Sequence, residues 1–212
     1  PPKDELDAII VLGVNDHLLT GNEKIISNAS CTTNCAGVLC KPIQDNFGIK
    51  QGYLITVHAF TMDQRLLDYP HSDMRRARSA SLSIIPTSTG AAKTLGEVIP
   101  ELKDKIDGMA YRVPVPDGSV VDMALELDKN VTIEDINDVM KEASDTYLKN
   151  LLEYSTEPIV SVDIIGNPYS GIYDAPLTRV VKNNFIKITG WYDNESGYAN
   201  RVVDLVRKIG HL

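Results

Sequence analysis

From residue 31 to residue 47 apolar side chains recur with a helical period. Cys35, Val38, Leu39 and Ile43 fall on one face, Ser30 is a good N-cap and Gly48 a good C-cap, and Pro42 predicts a kink in the later turns. Asp7–Val14 and Lys24–Ala29 read as lead-in strands separated by the turn residues Gly13-Val14-Asn15-Asp16 and Thr20-Gly21-Asn22. Gln51–Phe60 alternates as a strand with His58 near its end. Residues 61–83 keep no sustained period and carry Arg65, His71, Asp73, Arg75, Arg76 and Arg78, which predicts a long charged loop needing a partner or ligand to order it. Thr87-Ser88-Thr89-Gly90 opens a helix over 91–99. Asp107–Pro114 and Ser119–Asp128 alternate about Pro116-Asp117-Gly118 and read as a hairpin. Thr132 starts a helix with Ile136, Val139, Met140, Ala143 and Tyr147 on its apolar face, Pro158–Ile165 and Asn184–Thr189 read as strands, and a helix from Gly197 to Ile209 ends the pattern. Hairpin-like connections outnumber βαβ crossovers. The predicted class is therefore α+β, a mainly antiparallel sheet with helices on one face, as one domain over 1–212 with 1–29 leading in.

Composition adds limits rather than function. A net charge of −8 argues against nucleic acid or an anionic membrane as the main partner, and no stretch approaches the length of a membrane span. Cys31, Cys35 and Cys40 lie along one predicted helix, badly placed to bridge one another, which reads as a reducing compartment. Pro1–Glu5 is polar and lacks an initiator methionine, so the chain is expected to begin within a longer protein. No Cys/His spacing matches a zinc site, and no Gly-x-Gly-x-x-Gly or P-loop sequence occurs.

The candidate chemistry begins at Cys31. As the first residue after the Ser30 cap, its thiol meets unpaired N–H groups and the positive end of the helix dipole, which predicts a lowered pKa and a better nucleophile. The competing reading is a small apolar core residue. A thiol nucleophile needs a base, and His58, at the end of a strand, is a candidate beside His17, His71 and His211. Arg76, Arg78, Arg112, Thr61 and the Thr87–Gly90 helix start form a candidate phosphate toolkit. A solvated patch for Arg75–Arg78 and a buried ion pair for Arg112 are the structural alternatives.

Ser27-Asn28-Ala29-Ser30-Cys31-Thr32-Thr33-Asn34-Cys35 resembles the active-site signature of phosphorylating glyceraldehyde-3-phosphate dehydrogenases. The resemblance runs on through Thr56–Ala59, Arg75–Arg78, Ser88–Lys93, Ala110–Pro114 and Trp191–Glu195, in family order, and is nearest the bacterial type. It implies that Cys31 is the nucleophile and His58 its base. It likewise implies that Ser30, Thr32, Thr61, Arg76, Thr89, Gly90 and Arg112 bind the substrate and the attacking phosphate, and that Asn194 and Tyr198 lie at the nicotinamide of NAD. The implied partners are glyceraldehyde 3-phosphate and inorganic phosphate, and the implied setting is a cytoplasmic homotetramer in glycolysis with no metal. It covers only the family's catalytic half: the N-terminal Rossmann domain is absent from the resemblance, which implies that these residues alone are not competent for turnover. Ser196 stands where the family often has an aromatic residue, Asp63 where many members have threonine, and Tyr69-Pro70 favours NAD over NADP. The alternatives are an erythrose-4-phosphate dehydrogenase domain and a non-catalytic assembly module.

Overall fold

The computed structural model describes residues 6–212, so the polar start Pro1–Glu5 lies outside the described residues. Two short strands, β1 (Ala8–Ile9) and β2 (Ile26–Ser27), pair in parallel and replace the longer lead-in strands expected there. Asn15 explains the shortening of the first: its carboxamide accepts from Val11 N–H and donates to the Ile9 carbonyl, folding the chain back into a turn. Helix α1 (Cys31–Phe47) follows with the expected bounds, running through Pro42. Ser30 caps it by accepting the Thr33 N–H, and Gly48, at φ 69°, closes it with its N–H on the Gln44 carbonyl.

Strands β3 (Ile49–Ala59) and β4 (Ile85–Ser88), helix α2 (Ala91–Val98) and strands β5 (Ile106–Val113) and β6 (Ser119–Leu127) come next. They are followed by α3 (Ile133–Asp145), β7 (Leu152–Ser155), β8 (Gly171–Asp174), β9 (Arg179–Val181), β10 (Phe185–Tyr192) and α4 (Ser196–Ile209). The main sheet runs β4-β5-β3-β6-β10-β8-β7, with β9 also on β10. It is mixed and mainly antiparallel: β3 pairs with β5 and β7 with β8 in parallel, and every other pair is antiparallel.

Three expectations are corrected. β5 and β6 are not a hairpin, because β3 lies between them, parallel to one and antiparallel to the other. Residues 158–165 form no strand; Ser161–Ile164 is a short 3-10 turn whose Asp163 carboxylate accepts the Val160 N–H. Tyr147 falls beyond the end of α3 and is half exposed, so the buried face of that helix is Ile136, Met140 and Ala143. The 61–83 loop is irregular, as expected, but tied down by its own charges: Arg76 pairs with Asp63, and Asp68 pairs with Arg78 and accepts the Ser79 N–H.

α1, α2 and α3 cover one face of the sheet. Along β6 the phase decides which side chains face them: Ser119, Val121, Met123, Leu125 and Leu127 are buried, while Val120, Asp122, Ala124 and Glu126 are only partly covered. Gly190 on β10 lets α1 approach closely, because a Cβ there would lie 2.6 Å from Leu39 Cδ1. The sheet thus fixes the start of α1 against the C-terminal end of β3, where Cys31 and His58 meet.

Candidate active site

Ala29 adopts φ 57°, a left-handed backbone unusual for alanine, and swings the chain from β2 into the Ser30 cap. Cys31 therefore opens α1 with its Sγ 3.5 Å from Nε2 of His58. His58 is buried near the end of β3, and its imidazole packs edge-on against Tyr192, with ring centroids 5.8 Å apart. The Tyr192 hydroxyl is held in turn between Thr32 Oγ1 and Thr56 Oγ1, each at 2.9 Å. This buried relay fixes both the first turn of α1 and the plane of the histidine.

Arg112, paired with His58 across β3 and β5, meets the other ring nitrogen. Its Nη1 donates to the Ala59 carbonyl at 2.9 Å and lies 2.7 Å from Nδ1, while its buried Nε has no partner. The unspent donor and the guanidinium charge suit an anion in the adjoining cavity. That cavity, of about 180 Å³, is lined by Ser30, Cys31, Thr32, His58, Thr89, Gly90 and Arg112 among others. Thr89 and Gly90 stand at the start of α2, where Thr89 Oγ1 accepts the Ala91 N–H.

The expectation of a lowered thiol pKa is not met. Burial is the largest influence on Cys31 and pushes its pKa up, against the Thr32 hydroxyl and N–H and the charge of Arg112, which pull it down. Burial, with Arg112 second, lowers His58 to about 4. At neutral pH the pair is therefore a neutral thiol facing a neutral imidazole; Nδ1 lies 2.7 Å from the Ala59 carbonyl, and the tautomer that donates there leaves the Nε2 lone pair to take the thiol proton during attack.

The remaining expected site residues do not line this cavity. Thr61 is turned into its own loop, its N–H and hydroxyl both donating to Gln64 Oε1. Arg76 is spent on Asp63, Asp73 and Thr87 Oγ1. Tyr198 faces a neighbouring groove shared with Ile26, Ser27, Asn28 and Ala29, in which the buried carboxamide of Asn28 has no partner. Asn194 is buried just after β10, with Oδ1 on the Ser119 hydroxyl and Nδ2 making only a 3.4 Å contact with exposed Glu195. Sequence reasoning passed over Ser119 and Tyr192. Their signal was phase: a hydroxyl at an inward-facing position of a strand that is otherwise apolar on that side.

Among the described residues no group of three or more His, Cys, Asp or Glu side chains is placed to hold a metal ion, and no helix is long and apolar enough to cross a membrane.

Residues 30–194 match the family described as glyceraldehyde 3-phosphate dehydrogenase, C-terminal domain. The chain is 58% identical over 211 residues to the glyceraldehyde-3-phosphate dehydrogenase of Borreliella burgdorferi, covering 99% of this chain and 63% of that protein. It is 56% identical over 210 residues to the protein of the same name from Mycolicibacterium smegmatis, covering 99% and 61%, and 54% identical over 210 residues to that of Mycobacterium avium, again covering 99% and 61%. It thus spans about three-fifths of the length of these relatives. The chain belongs to the glyceraldehyde-3-phosphate dehydrogenase family and corresponds to its C-terminal, catalytic domain.

Proposed function

We propose that this chain is the catalytic domain of an NAD-dependent, phosphorylating glyceraldehyde-3-phosphate dehydrogenase and that Cys31 and His58 carry its chemistry. The observation that bears most weight is the 3.5 Å approach of the Cys31 thiol to His58 Nε2 at the mouth of a cavity walled by Thr89, Gly90 and Arg112. Cys31 attacks the aldehyde carbon as Nε2 accepts the thiol proton, giving a thiohemiacetal. The Cys31 N–H and the newly protonated His58 stabilise the oxyanion. NAD, when bound, supplies the acceptor for the hydride that leaves the carbon, so that the thiohemiacetal becomes a thioester. Inorganic phosphate then attacks the thioester carbonyl, releasing the Cys31 thiol and an acyl phosphate.

Ser30, Thr32, Thr89, Gly90 and Arg112 would hold the two phosphates, while for Thr61 and Arg76, which here bond Gln64 and pair with Asp63 and Asp73, that role rests on the resemblance alone. The orphaned Asn28 carboxamide and the unspent Nδ2 of Asn194 fit the nicotinamide end of the cofactor, beside Tyr198. No Gly-x-Gly-x-x-Gly sequence occurs in the 212 residues to cradle its pyrophosphate, so these residues alone bind NAD weakly and turn over little. The working form is a cytoplasmic homotetramer.

Two measurements test this reading. Iodoacetamide labelling followed by mass spectrometry at pH 7 should modify Cys31 well before Cys35 and Cys40, which are fully buried with raised pKa values, and His58→Ala should slow it. Equal rates at all three thiols would defeat the activated-nucleophile assignment. Calorimetric titration of the 212-residue chain should give no micromolar NAD binding, and finding such binding would overturn the assignment of the cofactor to a second domain.

A further inference from the structure

Ser119 has no part in the chemistry above, yet it stands where three elements of the site converge. It is the first residue of β6, opposite Tyr192 in the β10 register, and is 1% exposed. Its Oγ accepts the Ala59 N–H at 3.1 Å and donates to Asn194 Oδ1 at 2.7 Å. Ala59 follows His58 directly, and its carbonyl is the group to which Arg112 donates.

The direction of these bonds is set by elementary accounting. A serine hydroxyl has one proton. Because the backbone N–H of Ala59 can only donate, Ser119 must accept from it, and the hydroxyl proton then has Asn194 Oδ1 as its acceptor. Were the Asn194 carboxamide turned over, its amino group would face Ser119 and the buried hydroxyl proton would lose that acceptor, a costly arrangement away from water. The acceptor end of Asn194 is therefore committed, and its amino group has only the long contact to the exposed Glu195 carboxylate.

We propose that Ser119 is a positioning residue that fixes the polarity of Asn194, so that Asn194 meets a ligand solely as a donor, toward a carbonyl oxygen. Resting on the nicotinamide reading above, the ligand group it selects is the carboxamide oxygen of NAD. Ser119 also ties this donor to the strand end that carries His58, through the Ala59 N–H.

The test uses the full-length protein with its dinucleotide-binding half and follows NAD affinity by calorimetry in a double-mutant cycle. Ser119→Ala should weaken NAD binding roughly fivefold to tenfold, the loss expected when one oriented hydrogen bond is released. In an Asn194→Ala background the same change should have less than about a twofold effect, because no carboxamide remains to orient. Ser119→Cys, nearly isosteric and a weak donor, should reproduce most of the loss with little change in thermal midpoint, and it carries the test if the alanine variant folds poorly. Unchanged affinity in Ser119→Ala or Ser119→Cys, or losses that simply multiply in the double variant, would overturn the proposal and leave Ser119 a packing residue. If the parent itself does not bind NAD, the nicotinamide reading fails and the proposal falls with it, a result distinct from parent binding that Ser119 does not influence.

Discussion

Arg112 meets the ring nitrogen of His58 that Cys31 does not, and this arrangement has measurable consequences for both. The guanidinium charge disfavours imidazolium, and burial disfavours it more, so the ring is held at about 4 against an ordinary 6.5. Replacing Arg112 with leucine should raise the His58 pKa, though not as far as 6.5, because the ring stays buried. Following the ring Cε1–H resonance against pH checks this, and an unchanged midpoint would mean that Arg112 does not rest on the ring in solution. The same shift links stability to acidity. His58 stays neutral in the folded state between pH 6.5 and 4 while the unfolded chain takes up its proton there, so the contribution is intact above pH 6.5 and is lost as pH falls toward 4. It amounts to roughly 3 kcal/mol at full strength. Urea unfolding at pH 7.5 and 4.5 should show a smaller acid loss in His58→Asn than in the parent. At this scale the side chains that come together around the cavity, Ser30, Cys31, Thr32, His58, Thr89, Gly90 and Arg112, could be singled out in the sequence because short contiguous motifs carry them. The thiol's raised pKa was not, since burial depends on what the rest of the chain stacks over it.

Elements were legible where the signal is local. The α1 cap and its glycine stop, and the Thr132 start of α3, rest on residues a turn apart. In α3 the Thr132 hydroxyl accepts the Asp135 N–H, while the Asp135 carboxylate accepts the Thr132 N–H, a reciprocal pair that satisfies two otherwise open donors. Thr132→Ala should lower stability by about 1 kcal/mol and leave Cys31 labelling unaltered, since the pair is remote from the site; a denaturant midpoint equal to the parent's would deny the cap any role. The mistaken β5–β6 hairpin marks the limit of such signals. Pro116-Asp117-Gly118 does turn the chain, but no local feature says that β3, placed more than fifty residues earlier, fills the gap between the two strands. That insertion is what brings His58 beside Arg112 and puts the Ala59 N–H within reach of Ser119. The site depends on the part of the topology that the sequence hid.

Across the whole molecule the α+β class followed from turn chemistry and strand alternation, whereas the strand order and the surfaces left open did not. Two apolar surfaces compete as the contact between copies in the proposed tetramer. One is the sheet face away from the helices, where Tyr53, Ile55, Val57 and Val120 are only partly covered. The other is the 61–84 segment, on which Leu67 is 74% exposed, Met74 82%, Leu82 82% and Ile84 68%, far more apolar side chain than a free loop gains by showing to water. Because Arg76–Asp63 and Arg78–Asp68 already hold this segment in shape, it can present those side chains without first being ordered by a partner. The loop is therefore expected to contribute more to association than its length suggests. Combining Leu67→Asp with Leu82→Glu should shift the full-length protein toward smaller species in sedimentation velocity at micromolar concentration, while Val57→Asp on the sheet face tests the rival surface. A loop variant that sediments like the parent, beside a sheet variant that dissociates, would assign the contact to the sheet and leave the loop's exposed leucines for another partner.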